Sequence, residues 1–276
     1  MSLKMSVRFW GVRGSIPCPG PGTVRYGGNT SCVEVLCGDR RLVFDAGSGF
    51  RMLGNAIAED SGIADVDLFL SHCHIDHLIG LPFFTPAFAK GSHLHVWAGN
   101  VKPAGGIREA VRKLLSYPLF PIEVEAIRGK VEFTDFDPGD ALKPRDGIVV
   151  RTAPLNHPGG ATGYRVEFGG HAVAYITDTE LSSDDIDPAL LALAKDASLV
   201  IIDTTYTDEE LPEHVGWGHS SWQQAVRLAR EANVRKLCLF HHDPEHDDDE
   251  MDRIAEAAAK ALPGTIVARE GLFIEL

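Results

Sequence analysis

The chain has 276 residues, 44% hydrophobic and 24% charged, with a formal net charge of −13 at pH 7. That composition is ordinary for a globular protein, and the length is enough to bury a large core. No apolar run reaches the roughly 18 residues that a bilayer crossing needs, and the N-terminus lacks the basic-then-apolar layout of a signal peptide. A soluble, cytoplasmic protein of one domain over 5–276 is expected, with residues 1–4 an extension ahead of a native start at Met5, and with no membrane partner. The acidic balance opposes a long nucleic-acid partner, because such binding needs Lys and Arg to neutralise many phosphates; a small anionic substrate is expected instead. Five cysteines, none in a C-x-x-C pair, read as reduced and mostly buried thiols.

Residues 6–10 predict a first short strand. In the loop 11–29 that follows, five glycines and three prolines within 14–28 forbid regular structure. With no Walker lysine and no G-x-G-x-x-G, it reads as a plain loop before a phosphate cradle. Strands at 32–37 and 41–45 flank the turn Gly38-Asp39, and Asp45 opens Asp45-Ala46-Gly47-Ser48-Gly49 ahead of a helix over 50–58. An acidic residue buried at a strand end needs a partner, although Asp45 also suits an N-cap for that helix.

The apolar run 66–70 leads into Ser71-His72-Cys73-His74-Ile75-Asp76-His77, where four metal-capable side chains occupy six residues. Imidazole and carboxylate suit borderline divalent metals such as zinc. His72 and His74, two apart, can project together from an extended loop, while Asp76 and His77 fall where a short helix over 76–81 would begin and can point at a second ion. Residues 81–89 are apolar and aromatic. With 107–121 they form a candidate substrate-facing wall, core packing being an equal or better reading. Residues 93–97 alternate like a half-buried strand, so His93 and His95 share one face and read as structural.

A helix over 107–115 and strands at 122–127, 130–134 and 148–153 precede His157, which sits at the turn His157-Pro158-Gly159-Gly160. A hairpin of 164–168 and 171–177 then delivers Asp178, 21 residues after His157. A helix at 189–194 and a buried strand at 198–203 follow. Gly216-Trp217-Gly218-His219-Ser220-Ser221 opens a helix over 222–232, with Ser220 or Ser221 as N-cap. A strand at 236–240 ends in His241-His242, and the acidic run 245–250 reads as the start of a helix over 251–262, where it favours the helix dipole.

H-x-H-x-D-H after an apolar strand resembles the signature of the metallo-β-lactamase-fold hydrolases, and His157, Asp178 and His241 follow in the order of that family, each at a predicted strand end. Gly27-Gly28-Asn29-Thr30-Ser31-Cys32 and Gly218-His219-Ser220-Ser221 resemble its phosphodiesterase branch, which includes phosphonate-utilisation cyclic phosphodiesterases and ribonuclease Z. The resemblance implies an α/β fold, a four-layer αβ/βα sandwich of two packed β-sheets with helices outside and the metals at one edge. It implies His72, His74 and His157 on one divalent ion, Asp76, His77 and His241 on a second, and Asp178 bridging both. Zinc is the first choice, with manganese or iron as alternatives, and His242 stands as the alternative to His241. Asp45 would orient a ligand histidine, residues 27–32 would line the site, and His219, with Asp76, would be catalytic.

The implied reaction is hydrolysis of a small phosphodiester, cyclic or linear, by a metal-bridging hydroxide, with His219 as general acid. Ribonuclease Z typically carries an arm between the positions matching His157 and Asp178. A hairpin fills those 21 residues here, so precursor tRNA is expected not to be a substrate. The rivals are carboxyl-type hydrolysis of a lactone, thioester or β-lactam, and a non-catalytic metal-binding protein. His219 speaks against the first and the full ligand set against the second. A homodimer is compatible with the sequence.

Overall fold

Two strands buried on both faces set the architecture: β4 (Asp65–Leu70) and β11 (Leu199–Asp203). Each is a nearly continuous apolar run, as strands covered on both sides require. In the computed structural model, which describes residues 4–121, 123, 126–182 and 185–276, each lies inside a seven-stranded sheet. The first sheet also holds β1 (Met5–Gly11), β2 (Cys32–Cys37), β3 (Arg40–Phe44), β5 (His93–Ala98), β6 (Lys130–Asp135) and, at one edge, β14 (Phe273–Glu275). The second holds β7 (Ala141–Leu142), β8 (Val149–Leu155), β9 (Ala161–Phe168), β10 (His171–Ile176), β12 (Leu237–Phe240) and β13 (Ile266–Val267).

Strand alternation divides the core into three layers. Phe44, Phe69, Tyr164, Tyr175, Ile201 and Phe240 pack between the sheets. Val43, Leu68 and Leu70 face outward against α1 (Gly49–Asp60) and α2 (Ile107–Leu114). Val200 and Ile202 face the opposite way, against α3 (Pro188–Ala194), α4 (Trp222–Glu231) and α5 (Asp248–Ala261). Helix, sheet, sheet, helix is the expected four-layer order.

β3 to β6 run parallel, as do β10 to β13. Ligand sites in such sheets form beyond the carboxyl ends of the strands, and Asp45, His72, Asp178 and His241 all lie within two residues of a strand's C-terminus.

Several local expectations need adjusting. The helix over 76–81 is two separate 3₁₀ turns, Ile75–His77 and Leu81–Phe83, because the Gly80 N–H that would continue the first turn goes instead to the Ala46 carbonyl at 2.8 Å. α5 starts at Asp248, with Asp247 as its cap. Strands β7, β13 and β14 are too short to show a period in sequence. Of the strand expected at 122–127, residues 122, 124 and 125 lie outside the described residues, and 123, 126 and 127 are not in a strand.

Candidate metal centre

Ser71, His72 and Asp45 meet where β3 and β4 end side by side. Asp45 is wholly buried. Its carboxylate accepts from Ser71 N at 2.7 Å, Ser71 Oγ at 2.8 Å, Tyr175 OH at 2.8 Å and His77 Nδ1 at 2.8 Å. That ties up its oxygens and rules out the N-cap reading; Ser48, not Asp45, holds the cap position of α1. Because Ser71 Oγ donates to Asp45, it can accept from His72 Nδ1, 3.0 Å away. One carboxylate thus fixes two imidazoles, His77 directly and His72 through a hydroxyl, and turns the Nε2 lone pair of each inward.

The second half repeats the device. Asp203, also wholly buried, accepts from His219 Nδ1 at 2.8 Å and from Thr205 Oγ1 at 2.8 Å. Thr205 Oγ1 in turn lies 3.0 Å from His241 Nδ1. His157 gives its Nδ1 proton to the Gly218 carbonyl at 2.9 Å. Gly14 lies so close to His241 that a Cβ there would stand 2.5 Å from the ring, so the glycine of the early loop is needed for room. Asp45, Asp178 and His241 all have positive φ, at 62°, 56° and 61°, a conformation uncommon outside glycine and one that clusters at functional sites.

Asp178 sits between two groups of histidines. Its Oδ2 lies 3.7 Å from His72 Nε2 and 3.6 Å from His157 Nε2. Its Oδ1 lies 3.4 Å from His77 Nε2 and 3.2 Å from His241 Nε2. Asp76 Oδ2 joins the second group, 3.1 Å from His77 Nε2 and 3.5 Å from His241 Nε2, and it also accepts from Ser15 N at 2.9 Å. His74 reaches the first group, its Nδ1 lying 3.1 Å from His157 Nε2. Two ligands about 2.0–2.2 Å from one tetrahedral ion stand roughly 3.3 Å apart, close to these spacings. His72, His77 and His241 each bury Nε2 with no partner, at a cost of about 1–3 kcal/mol per group that a bound cation would offset.

The donor set therefore fits two divalent ions, one among His72, His74 and His157, the other among Asp76, His77 and His241, with Asp178 between them. The protonation states of His72 and Asp178 agree. His77 differs: burial pushes its pKa down, but Asp76, Asp178 and Asp45 push it well above its usual value, so it must release its Nε2 proton to take an ion. Burial, helped by the charge of His77, pushes the His72 pKa down against the pull of Asp178, which leaves its lone pair free. Burial pushes Asp178 up, but His241, His77 and His72 outweigh it and hold the carboxyl well below its usual range. For His219 burial also works downward, yet Asp203, then Asp178 and Asp76, raise its pKa to about 9.

A pocket of about 320 Å³ opens onto this cluster, lined by Ser15, His74, Ile75, Asp76, His157, Asp178, Trp217 and His219. His242 points elsewhere: its Nε2 donates to the Ala268 carbonyl at 2.8 Å. His93 and His95 share a face of β5, where they meet Glu132 and Thr134 rather than the cluster. Residues 27–32 do not line the pocket as expected. Thr30 is buried and exchanges hydrogen bonds with Ser48, and Asn29 is held by Glu270; the loop meets the site earlier, at Ser15. Phe84 is core, stacked on Phe50 at 4.2 Å, while Phe83 stays half exposed against Phe120, so neither forms a wall of this pocket. The acidic run caps α5, and Asp248 accepts the backbone N–H groups of Arg25 and Tyr26.

Sequence reasoning missed Asp203, Thr205, Ser71, Ser15 and Trp217. A strand-end Asp is a usable signal, since Asp203 closes β11 much as Asp45 follows β3, but its histidines lie 16 and 38 positions away, beyond any local motif.

The profile of the Beta-lactamase superfamily domain matches residues 40–242, so the chain belongs to that family. It is a metallo-β-lactamase-fold hydrolase. Ribonuclease Z of Myxococcus xanthus is 25% identical over 293 residues, covering 90% of this chain and 92% of that protein. The metallo-beta-lactamase fold protein YhfI of Bacillus subtilis superposes with a TM-score of 0.73 at 21% identity over 99% of each chain. A diphosphatase of the PhnP family superposes with a TM-score of 0.70 at 18% identity, covering 99% of this chain and 98% of that one. At these identities the two structures establish the fold.

The ribonuclease relative corrects one expectation. Net charge does not exclude a long nucleic-acid partner, because a protein named as a ribonuclease aligns with nine-tenths of the chain. The count of −13 includes the buried carboxylates Asp45, Asp76, Asp178 and Asp203, which face histidines rather than solvent, and bound cations would set the local field whatever the total. As to membranes, no helix among the described residues is long and apolar enough to cross one.

Proposed function

We propose that the protein is a binuclear metal-dependent phosphodiester hydrolase. The observation that carries this is Asp178, whose two oxygens each face a separate pair of histidine nitrogens. His72, His74 and His157 would hold one ion, zinc by preference, Asp76, His77 and His241 the other, with Asp178 bridging. Two such ions lower the pKa of a shared water and neutralise charge developing on phosphoryl oxygens.

The chain's own residues supply the rest. Asp45 and Asp203 hold the imidazoles in place. His219, clamped at Nδ1 by Asp203, borders the pocket and keeps its Nε2 proton for the leaving oxygen. Ions held by Asp178 and Asp76 would cancel part of the upward push on the pKa of His219, bringing it toward neutrality.

The short β9–β10 hairpin between His157 and Asp178 favours small diesters, cyclic ones included. Cleavage of RNA is the second reading, supported by the ribonuclease relative. Elemental analysis of reconstituted protein is expected to find close to two ions per chain, with turnover of bis(4-nitrophenyl) phosphate, a 2′,3′-cyclic nucleotide or a 3′-extended RNA. A stoichiometry that stays near one would sink the binuclear site. Turnover of thioester or β-lactam alone would sink the phosphodiester reading.

A further inference from the structure

Trp217 borders the same pocket as His157, Asp178 and His219, yet its side chain is left 60% exposed. A single exposed apolar residue is ordinary. What sets this one apart is how firmly the backbone around it is held. The N–H groups of Gly216 and Gly218 both donate to Glu180 Oε2, at 2.8 and 3.1 Å, and Trp217 N donates to the His214 carbonyl at 3.0 Å. The Gly218 carbonyl takes the His157 Nδ1 proton. Gly218 has φ +85°, and a Cβ there would come within 2.2 Å of the His157 ring.

The indole is also propped from one side. His214 meets it edge-on at 4.9 Å and is itself stacked on Tyr206 at 4.2 Å, with an interplanar angle of 16°. Fixing a segment this way costs conformational entropy, and the exposed ring recovers little of it through packing. Ile75, 54% exposed, adds a second apolar surface to the same pocket. A rigid aromatic face beside a phosphoryl site is preorganised for a flat partner, and such stacking tolerates any base because every base has a π-face.

We propose that Trp217 is a platform on which a flat aromatic group of the substrate, a nucleobase next to the scissile phosphate, stacks. This rests on the phosphodiester reading above and adds the class of group that the diester carries. Trp217 would set specificity and leave bond breaking to the metal centre and His219.

Thymidine 5′-(4-nitrophenyl) phosphate and methyl 4-nitrophenyl phosphate share a leaving group and differ only in what remains on phosphorus. On metal-reconstituted protein, Trp217→Ala is expected to lower the ratio of kcat/KM for the first over the second by roughly 5- to 150-fold, the equivalent of ~1–3 kcal/mol of stacking. The loss should fall mainly on KM, and Trp217→Phe should restore most of the ratio. An unchanged ratio in Trp217→Ala, both for these diesters and for an RNA tetranucleotide against its counterpart abasic beside the cleavage site, would overturn the platform, including the case in which all substrates suffer alike and the loop is merely structural.

A binding titration gives a readout without turnover. Thymidine 5′-monophosphate should quench tryptophan emission in the native protein and fail to do so in Trp217→Phe; equal quenching in both overturns the proposal. If the native protein binds two ions and turns over neither the diesters nor RNA, the phosphodiester reading fails, and this titration still decides whether Trp217 receives a base. An RNA tetranucleotide and its counterpart abasic beside the cleavage site separate the sources. A Trp217 effect on the thymidine diester assigns the base to a free nucleotide, and one confined to RNA assigns it to a chain end.

Discussion

Asp45 and Asp203 are the same device built twice, once in each sheet. Each is a wholly buried carboxylate at the end of a strand; each accepts a proton from one histidine Nδ1 at 2.8 Å and governs a second histidine through a hydroxyl, Ser71 in one case and Thr205 in the other. The far nitrogens differ. His77 and His72, on the Asp45 side, bury Nε2 with no hydrogen bond, facing the carboxylates of Asp76 and Asp178. On the Asp203 side only His241 does so, while His219 borders the open pocket. Identical carboxylate–histidine pairs thus suit different work, because the surroundings of the second nitrogen decide whether it meets a cation or a substrate.

The largest effect should come from His219→Ala. Turnover of a substrate with an alkyl leaving group is expected to drop about 10²- to 10⁴-fold, with both ions retained, and the loss should shrink for an aryl leaving group that needs no proton. If metal content falls instead, His219 belongs with the ligands and the contrast disappears. The pH dependence follows the same logic. A general acid works in its protonated form, and Asp203 raises the pKa of His219. Activity on the alkyl substrate should therefore fall as pH rises through that pKa, and in Asp203→Ala the fall should begin at lower pH.

Removing each carboxylate sharpens the comparison. Asp45→Ala strands the Ser71, His77 and Tyr175 donors in a fully buried site, so it should cost ~3–5 kcal/mol of folding stability and weaken metal affinity roughly 10- to 100-fold. Asp203→Ala should lower turnover by about the same factor while metal content stays closer to two, since only His241 depends on it among the ligands. Denaturant unfolding and elemental analysis of the pair decide the point; equal metal loss from both would mean that the two devices do one job. The smallest effect is expected of His93→Ala, which should leave metal content intact because His93 is engaged with Glu132 and Asp65.

The clustered ligands could be read in the chain because their signals are local, and the layered sandwich followed from the family resemblance that those ligands carry. Four of the seven candidate ligands occupy six consecutive residues, and the other three sit at the ends of apolar runs of strand length. The partners that orient them could not be read that way. Asp203 reaches His219 and, through Thr205, His241 across a fold in the chain, and Tyr175 reaches Asp45 from the opposite sheet. The same limit explains residues 27–32: their glycines and polar side chains look like a site lining, but pairing with Ser48 and Glu270 makes them scaffold. Net charge misled for a related reason, since a sum over residues does not say where each charge lies.

Asp45, Asp178 and His241 stand in left-handed backbone geometry, each at a strain of about 1–3 kcal/mol. Heat resistance and chemistry therefore pull positions 178 and 241 in opposite directions, whereas at 45 both favour the carboxylate. A library of variants selected only for surviving high temperature, with no demand on turnover, should enrich Gly and Asn at 178 and 241, where both tolerate the geometry better. It should keep Asp45, whose four buried hydrogen bonds outweigh its strain. Survivors would be sturdier proteins stripped of the side chains at the centre of the cluster. Thermostabilisation of this enzyme has to begin by holding positions 45, 178 and 241 constant.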